Sequence, residues 1–145
     1  MFNKFVKKSS KFFAVLLTAT LAFTPLSYAA APTTFADLGL AISDGTVTPQ
    51  VIGLESSNEA ETTDTTLGTQ GAAELTIKGD NFSVSGAGTA SGFEIGEGQS
   101  ATVVDTTFEK FVKDGDGAVI SNKGSLTVEN STFTLNSASQ YGGAI

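Results

Sequence analysis

The chain of 145 residues has no cysteine, no histidine, no tryptophan and no arginine. Without cysteine, an exported fold must be held by packing and backbone pairing rather than by disulfides. Without histidine the commonest general base is gone. Without arginine there is no planar fork for a carboxylate or phosphate. Serine and threonine are plentiful, but no partner base stands near any of them in the sequence, so they read as solvated strand faces. Proline is scarce, at three residues, and lysine is the only cation.

Positive charge is also unevenly placed. Lys4, Lys7, Lys8 and Lys11 open the chain, the apolar run Phe12–Phe23 follows, and Ser27-Tyr28-Ala29 puts small residues three and one before a cut. Residues 1–29 therefore read as a secretory signal peptide, helical over 5–23 and cleaved after Ala29. The run is too short for a membrane anchor, which needs about 20 apolar residues. Behind the leader only Lys78, Lys110, Lys113 and Lys123 remain against fifteen acidic residues, a charge of −11. Such a surface repels phosphates and excludes nucleic acid as a partner. The remaining chain, about 115 residues, is enough for one domain.

That domain repeats. Leu75-Thr76-Ile77, Ala101-Thr102-Val103 and Leu126-Thr127-Val128 each stand seven residues ahead of a phenylalanine: Phe82, Phe108 and Phe133. Glycine and then isoleucine follow each, as Gly92 and Ile95, Gly117 and Ile120, Gly142 and Ile145. Short apolar–polar alternations separated by Gly and Asn-Ser turns are half-buried strands. A period near 25 with three strands per period predicts an all-β fold: a right-handed parallel β-helix over residues 72–145. Its coils stack about 4.8 Å apart. A β-sandwich also has turns every 8–12 residues, but it does not explain why residue type recurs at 25.

Alternation points Leu75, Ile77, Phe82, Val84, Val103, Phe108, Leu126, Val128, Phe133 and Leu135 inward, with Phe82, Phe108 and Phe133 in one column and Ile95, Ile120 and Ile145 in another. Thr76, Thr127, Glu129 and Thr134 point outward. Asn130 and Asn136 fall at corners, where a carboxamide can bond turn backbone. Residues 30–71 read as an N-terminal cap or degenerate coil plus an acidic loop. Gly39–Thr48 is similar to Gly117–Val128 with two residues removed, and Glu55–Thr66 is too polar to bury. Leu38, Leu40, Ile42, Val47, Val51, Ile52 and Leu54 supply apolar surface for docking.

Phe133-Thr134-Leu135-Asn136 fits an FxxN motif, and Gly142-Gly143-Ala144-Ile145 fits GGA[ILV]. Together these resemble the repeats of polymorphic outer membrane proteins, a family of autotransporter passengers. Asp116-Gly117-Ala118-Val119 is similar to an altered GGA[ILV]. Phe108–Phe111 and Phe82–Ser85 keep the Phe without the Asn. The resemblance covers residues 75–145. It implies an exported protein at the outer membrane, cell surface or extracellular space, held through a C-terminal β-barrel, with adhesion to a host or neighbouring-cell protein or glycan. Because the chain stops straight after GGAI without a capping element, the expectation is an N-terminal fragment of a longer product.

Two acidic clusters in the repeat suit other chemistry. Asp114-Gly115-Asp116-Gly117 offers oxygens to Ca²⁺, yet position 12 counted from Asp114 is Ser125 rather than the EF-hand's Glu. An ordinary turn is the favoured reading. Glu94 and Glu97 form a carboxylate pair of the kind glycosidases use, and a fragment of a β-helical polysaccharide lyase or hydrolase is the alternative function. A structural stalk is the third. The expectation is a non-enzyme without a cofactor.

Overall fold

The fold is seen in a computed structural model that describes residues 27–28 and 31–145. The expected leader helix over 5–23 and the junction after Ala29 lie outside the described residues. The elements are Ser27–Tyr28 (β1), Phe35–Ser43 (α1), Gln50–Gly53 (β2), Asn58–Glu59 (β3), Thr66–Thr69 (β4), Glu74–Lys78 (β5), Ser83–Ser85 (β6), Ser91–Ile95 (β7) and Ser100–Val104 (β8). They continue with Thr107–Glu109 (β9), Val112–Lys113 (β10), Ile120–Asn122 (β11), Ser125–Glu129 (β12), Thr132–Thr134 (β13) and Ser137–Ala138 (β14).

These strands form a parallel β-helix. One sheet runs β1-β2-β5-β8-β12, a second β3-β6-β9-β13 and a third β4-β7-β11, with β10 and β14 as a small fourth ladder. All the pairings are parallel. Four successive coils thus give one strand each to the first two sheets. The first sheet begins at Ser27-Tyr28, beside Gln50-Val51, within the segment read as leader.

Alternation does the work in the long strands. In β5 and β8 the buried residues are Leu75 and Ile77, then Ala101 and Val103, while Thr76 and Thr102 face outward. Register stacks Ile52 on Ile77, Val103 and Val128. Each large apolar side chain buried this way contributes about 1.5–3 kcal/mol. The column is covered until its end: Val128 sits in line with Val103 but is 39% exposed.

The phenylalanine column differs from the expected one. Phe108 stacks on Phe133, ring centroids 5.4 Å apart, but their partner in the second coil is Val84. The cause is a longer corner. Between the pairs Lys78–Val104 and Ser83–Thr107 the second coil spends four residues, 79–82, where the third spends two, 105–106. Asp80 and Asn81 take positive φ in that corner, and Phe82 is left half-buried on its flank. The isoleucine column shifts likewise. Ile120 lies beside Phe93, and Ile95 beside Asn122, because the third coil holds ten residues, 110–119, against seven, 86–92. Leu135 also does not point in. It is 72% exposed at φ 55°, just after the three-residue β13, where the chain turns and alternation stops.

The N-terminal part holds a helix and a full coil. Gly39–Thr48, similar in sequence to a coil, is helical in its first half, to Ser43: α1 starts at the N-cap Thr34, whose hydroxyl accepts the Asp37 N–H at 3.1 Å. Phe35, Leu38 and Ile42 lie on one helical face and are buried, whereas Leu40 faces water. Glu55–Thr66 is not simply a loop. It contains β3 and the first residue of β4, and Asn58 and Ala60 are buried. Polar residues replace apolar ones in the first coil where it faces the helix. Gln50 heads the Leu75–Ala101–Leu126 column and donates from Nε2 to the Ala41 carbonyl at 2.7 Å.

Candidate functional site

Two kinds of site can be built on this frame: the repeat motifs that stitch coil to coil, and the outward face that stacking produces.

The motif residues are structural in their contacts. Asn136 places Oδ1 2.9 Å from the Phe111 N–H and donates from Nδ2 to the Phe108 carbonyl at 3.1 Å. Gly142 has φ 57° and Gly117 φ 59°, a left-handed conformation that disfavours any Cβ. The Gly117 N–H donates to Tyr141, and the N–H groups of Val119 and Ile120 donate to Ala144. Gly117 therefore matches Gly142, not Gly143, and aligning Asp116–Val119 with Gly142–Ile145 is off by one residue. Gly143 sits nearby, against the Asn136 backbone. Ile145 lies in line with Ile120 but is 46% exposed.

Asp114 and Asp116 are brought to the same seam, but each is used there. The Ser139 hydroxyl donates to Asp114 Oδ1 at 2.6 Å, and the Tyr141 N–H donates to Asp116 Oδ1 at 2.9 Å. The pair serves as cross-coil rungs rather than a converging Ca²⁺ shell. Among the described residues no group of three His, Cys, Asp or Glu side chains could hold a metal. Glu94 on β7 pairs with Lys123 at 3.0 Å, and Glu97 lies in the turn closed by the Gln99 N–H on the Gly96 carbonyl. No family model, curated protein or solved structure matches the chain.

The outward face is the broader feature. Thr76, Thr102 and Thr127 lie side by side across the first sheet, in register with Val51 of the first coil, which is buried. Glu74, Ser100 and Ser125 form the neighbouring column. Around the corner Ser83, Thr107 and Thr132 align on the second sheet. Thr76, Thr102 and Thr127, then Ser100 and Ser125, and Ser83, Thr107 and Thr132 thus hold hydroxyls at the coil spacing of about 4.8 Å. Charged side chains border the threonines, with Glu74 beside Ser100 on one side and Lys78 and Glu129 flanking Val104 on the other. A shallow groove of about 250 Å³ on the third sheet is walled by Thr69, Ser91, Glu94 and Lys113 over Gly68 and Gly92.

One polar ladder was not legible in the repeat. Gln99 accepts the Gly96 N–H on Oε1 at 2.7 Å and donates to the carbonyls of Gln70 and Ala72. Gln70 donates in turn to Ala72 and Ser100. The two glutamines are 29 residues apart, off the 25-residue spacing. The only signal for them is a lone Gln at the end of a strand or just before one.

Proposed function

We propose that the chain belongs to a secreted or surface-displayed bacterial β-helix protein. In this reading it acts as an autotransporter-type adhesin passenger, and its lateral hydroxyl-bearing face contacts a protein or glycan on another cell. The observation that carries the reading is the Thr76–Thr102–Thr127 column with its Ser100–Ser125 neighbour. Stacking has made a flat, regular and largely uncharged strip on a chain that is otherwise strongly acidic. Hydroxyls exchange water for a partner's polar groups at small desolvation cost, whereas a carpet of carboxylates would repel the anionic surfaces of cells. The basic leader and the FxxN and GGA[ILV] motifs support export and surface display.

The test is binding of the exported, fluorescently labelled chain to cultured cells, beside Thr76→Lys/Thr102→Lys/Thr127→Lys. Saturable binding, lost in the variant while its far-ultraviolet circular dichroism is unchanged, is expected. Equal binding by both chains would remove this face from the function.

A further inference from the structure

We propose that Asn81 and Asn130 are sites of N-linked glycosylation, a proposal that rests on the reading of the chain as exported. Five asparagines are described. Asn58 is buried and donates to Ser56, Asn122 accepts the Gly124 N–H, and Asn136 uses both ends of its carboxamide between coils. Only Asn81 and Asn130 have carboxamides without a hydrogen-bond partner among the described residues, and both are exposed. These same two begin Asn-Phe-Ser (81–83) and Asn-Ser-Thr (130–132), the acceptor pattern Asn-x-Ser/Thr. Sequence pattern and free side chain thus select the same pair independently.

Their placement fits the modification. Both stand at the corner between the first and second sheets with left-handed backbone, φ 68° and 47°. Both residues are exposed there. The hydroxyl residues two positions on, Ser83 and Thr132, belong to the one outward column that Thr107 completes. The second and fourth coils therefore present the same pairing of carboxamide and hydroxyl, about 10 Å apart along the axis. The third coil has Asp105 at φ 49° in the same corner, followed by Thr106 and Thr107. It lacks only the carboxamide.

The reaction takes a sugar activated as a diphosphate ester. The carboxamide nitrogen forms a bond to the anomeric carbon, the bond from that carbon to the diphosphate oxygen breaks, the diphosphate leaves, and one N–H proton goes to solvent. Glycans at this corner would border the threonine strip and narrow what can approach it.

The experiment is intact-mass and peptide mapping of the exported chain from the cells that make it. Expected are sugar additions on Asn81 and Asn130. Each should be lost in Asn81→Gln and Asn130→Gln, and equally in Ser83→Ala and Thr132→Ala. Asp105→Asn should add a third. An exported, leader-free chain with both asparagines bare would overturn the proposal and leave the export reading standing. A chain held inside the cell with its leader would overturn the export reading. The sites are then read by treating the purified chain with an oligosaccharyltransferase and a lipid-linked sugar diphosphate, where bare Asn81 and Asn130 again overturn the proposal.

Discussion

Asn136 occupies in the fourth coil the place that Phe111 holds in the third, and it bonds that residue's backbone: the Phe111 N–H donates to Asn136 Oδ1 at 2.9 Å. The same carboxamide reaches the Phe108 carbonyl at 3.1 Å. Phe111 for its part is fully buried and meets the cap through Phe35, at a ring separation of 6.0 Å. The third coil departs from FxxN at the residue that packs against the cap helix. The fourth, farther from the cap, has the Asn.

Replacing Asn136 by Ala should leave the Phe111 N–H without its acceptor and cost about 1–2 kcal/mol. Hydrogen exchange at the Phe111 amide should quicken, while that at Val103 in the neighbouring sheet stays unchanged. An unaltered Phe111 amide would show that the rung is not formed in solution.

Phe108→Ala should cost about 3–5 kcal/mol, the usual loss for an emptied aromatic core site, since Phe108 is wholly buried between Val84 and Phe133. Phe82→Ala should cost no more than about 2 kcal/mol, because its ring is only half-buried outside the column. Denaturant midpoints of the two variants give the comparison. Equal losses would place Phe82 back in the core.

Gly117→Ala combines a left-handed φ with a Cβ driven against the Ile120 carbonyl. Gly98→Ala shares the positive φ, at 76°, but meets open space. Gly98→Ala should therefore cost about 1 kcal/mol, the left-handed penalty alone, and Gly117→Ala clearly more. Thermal melts of the pair would show it.

The helix cap should respond to acid. Hydrogen bonds from Thr34, with Thr33 adding a smaller share, hold the Asp37 carboxyl below the usual aspartate range. A carboxyl whose folded pKa is depressed gives its full contribution above the unfolded value, about 3.9, and loses it as pH falls through the folded value. Helix signal should therefore weaken below about pH 4. Asp37→Asn should flatten this step without altering the strand signal. An unchanged acid profile in that variant would assign the step to another group.

The strand pattern was legible where side chains alternate and corners are short. Leu75, Ile77 and Val103 reveal their facing because β5 and β8 run five residues each. Corners hid the rest. Nothing in Gly79–Phe82 announces two extra residues, so equal spacing to Phe108 suggested a column that Val84 occupies instead. Leu135 follows a three-residue strand, too short for alternation to extend past it. Gly39–Thr48 imitates a coil in sequence, but Thr34 and Asp37 cap a helix there, and the buried stripe Phe35, Leu38 and Ile42 settles it. For Asp114 and Asp116 the sequence showed oxygens without showing that Ser139 and Tyr141, one coil later, would take them.

The most direct test of the coil register uses the absence of native cysteine. In the structure Ser83 lies beside Thr107 on the outer surface. If Phe82 instead stacked on Phe108, Ser83 would lie beside Glu109. Neighbouring positions on paired strands are within disulfide reach, whereas positions two residues off are about 7–8 Å away. Ser83→Cys/Thr107→Cys should close a disulfide under mild oxidation, and Ser83→Cys/Glu109→Cys should stay reduced. Cross-linking of the second pair in preference to the first would contradict the register on which the stacked columns, and the outward face they create, depend.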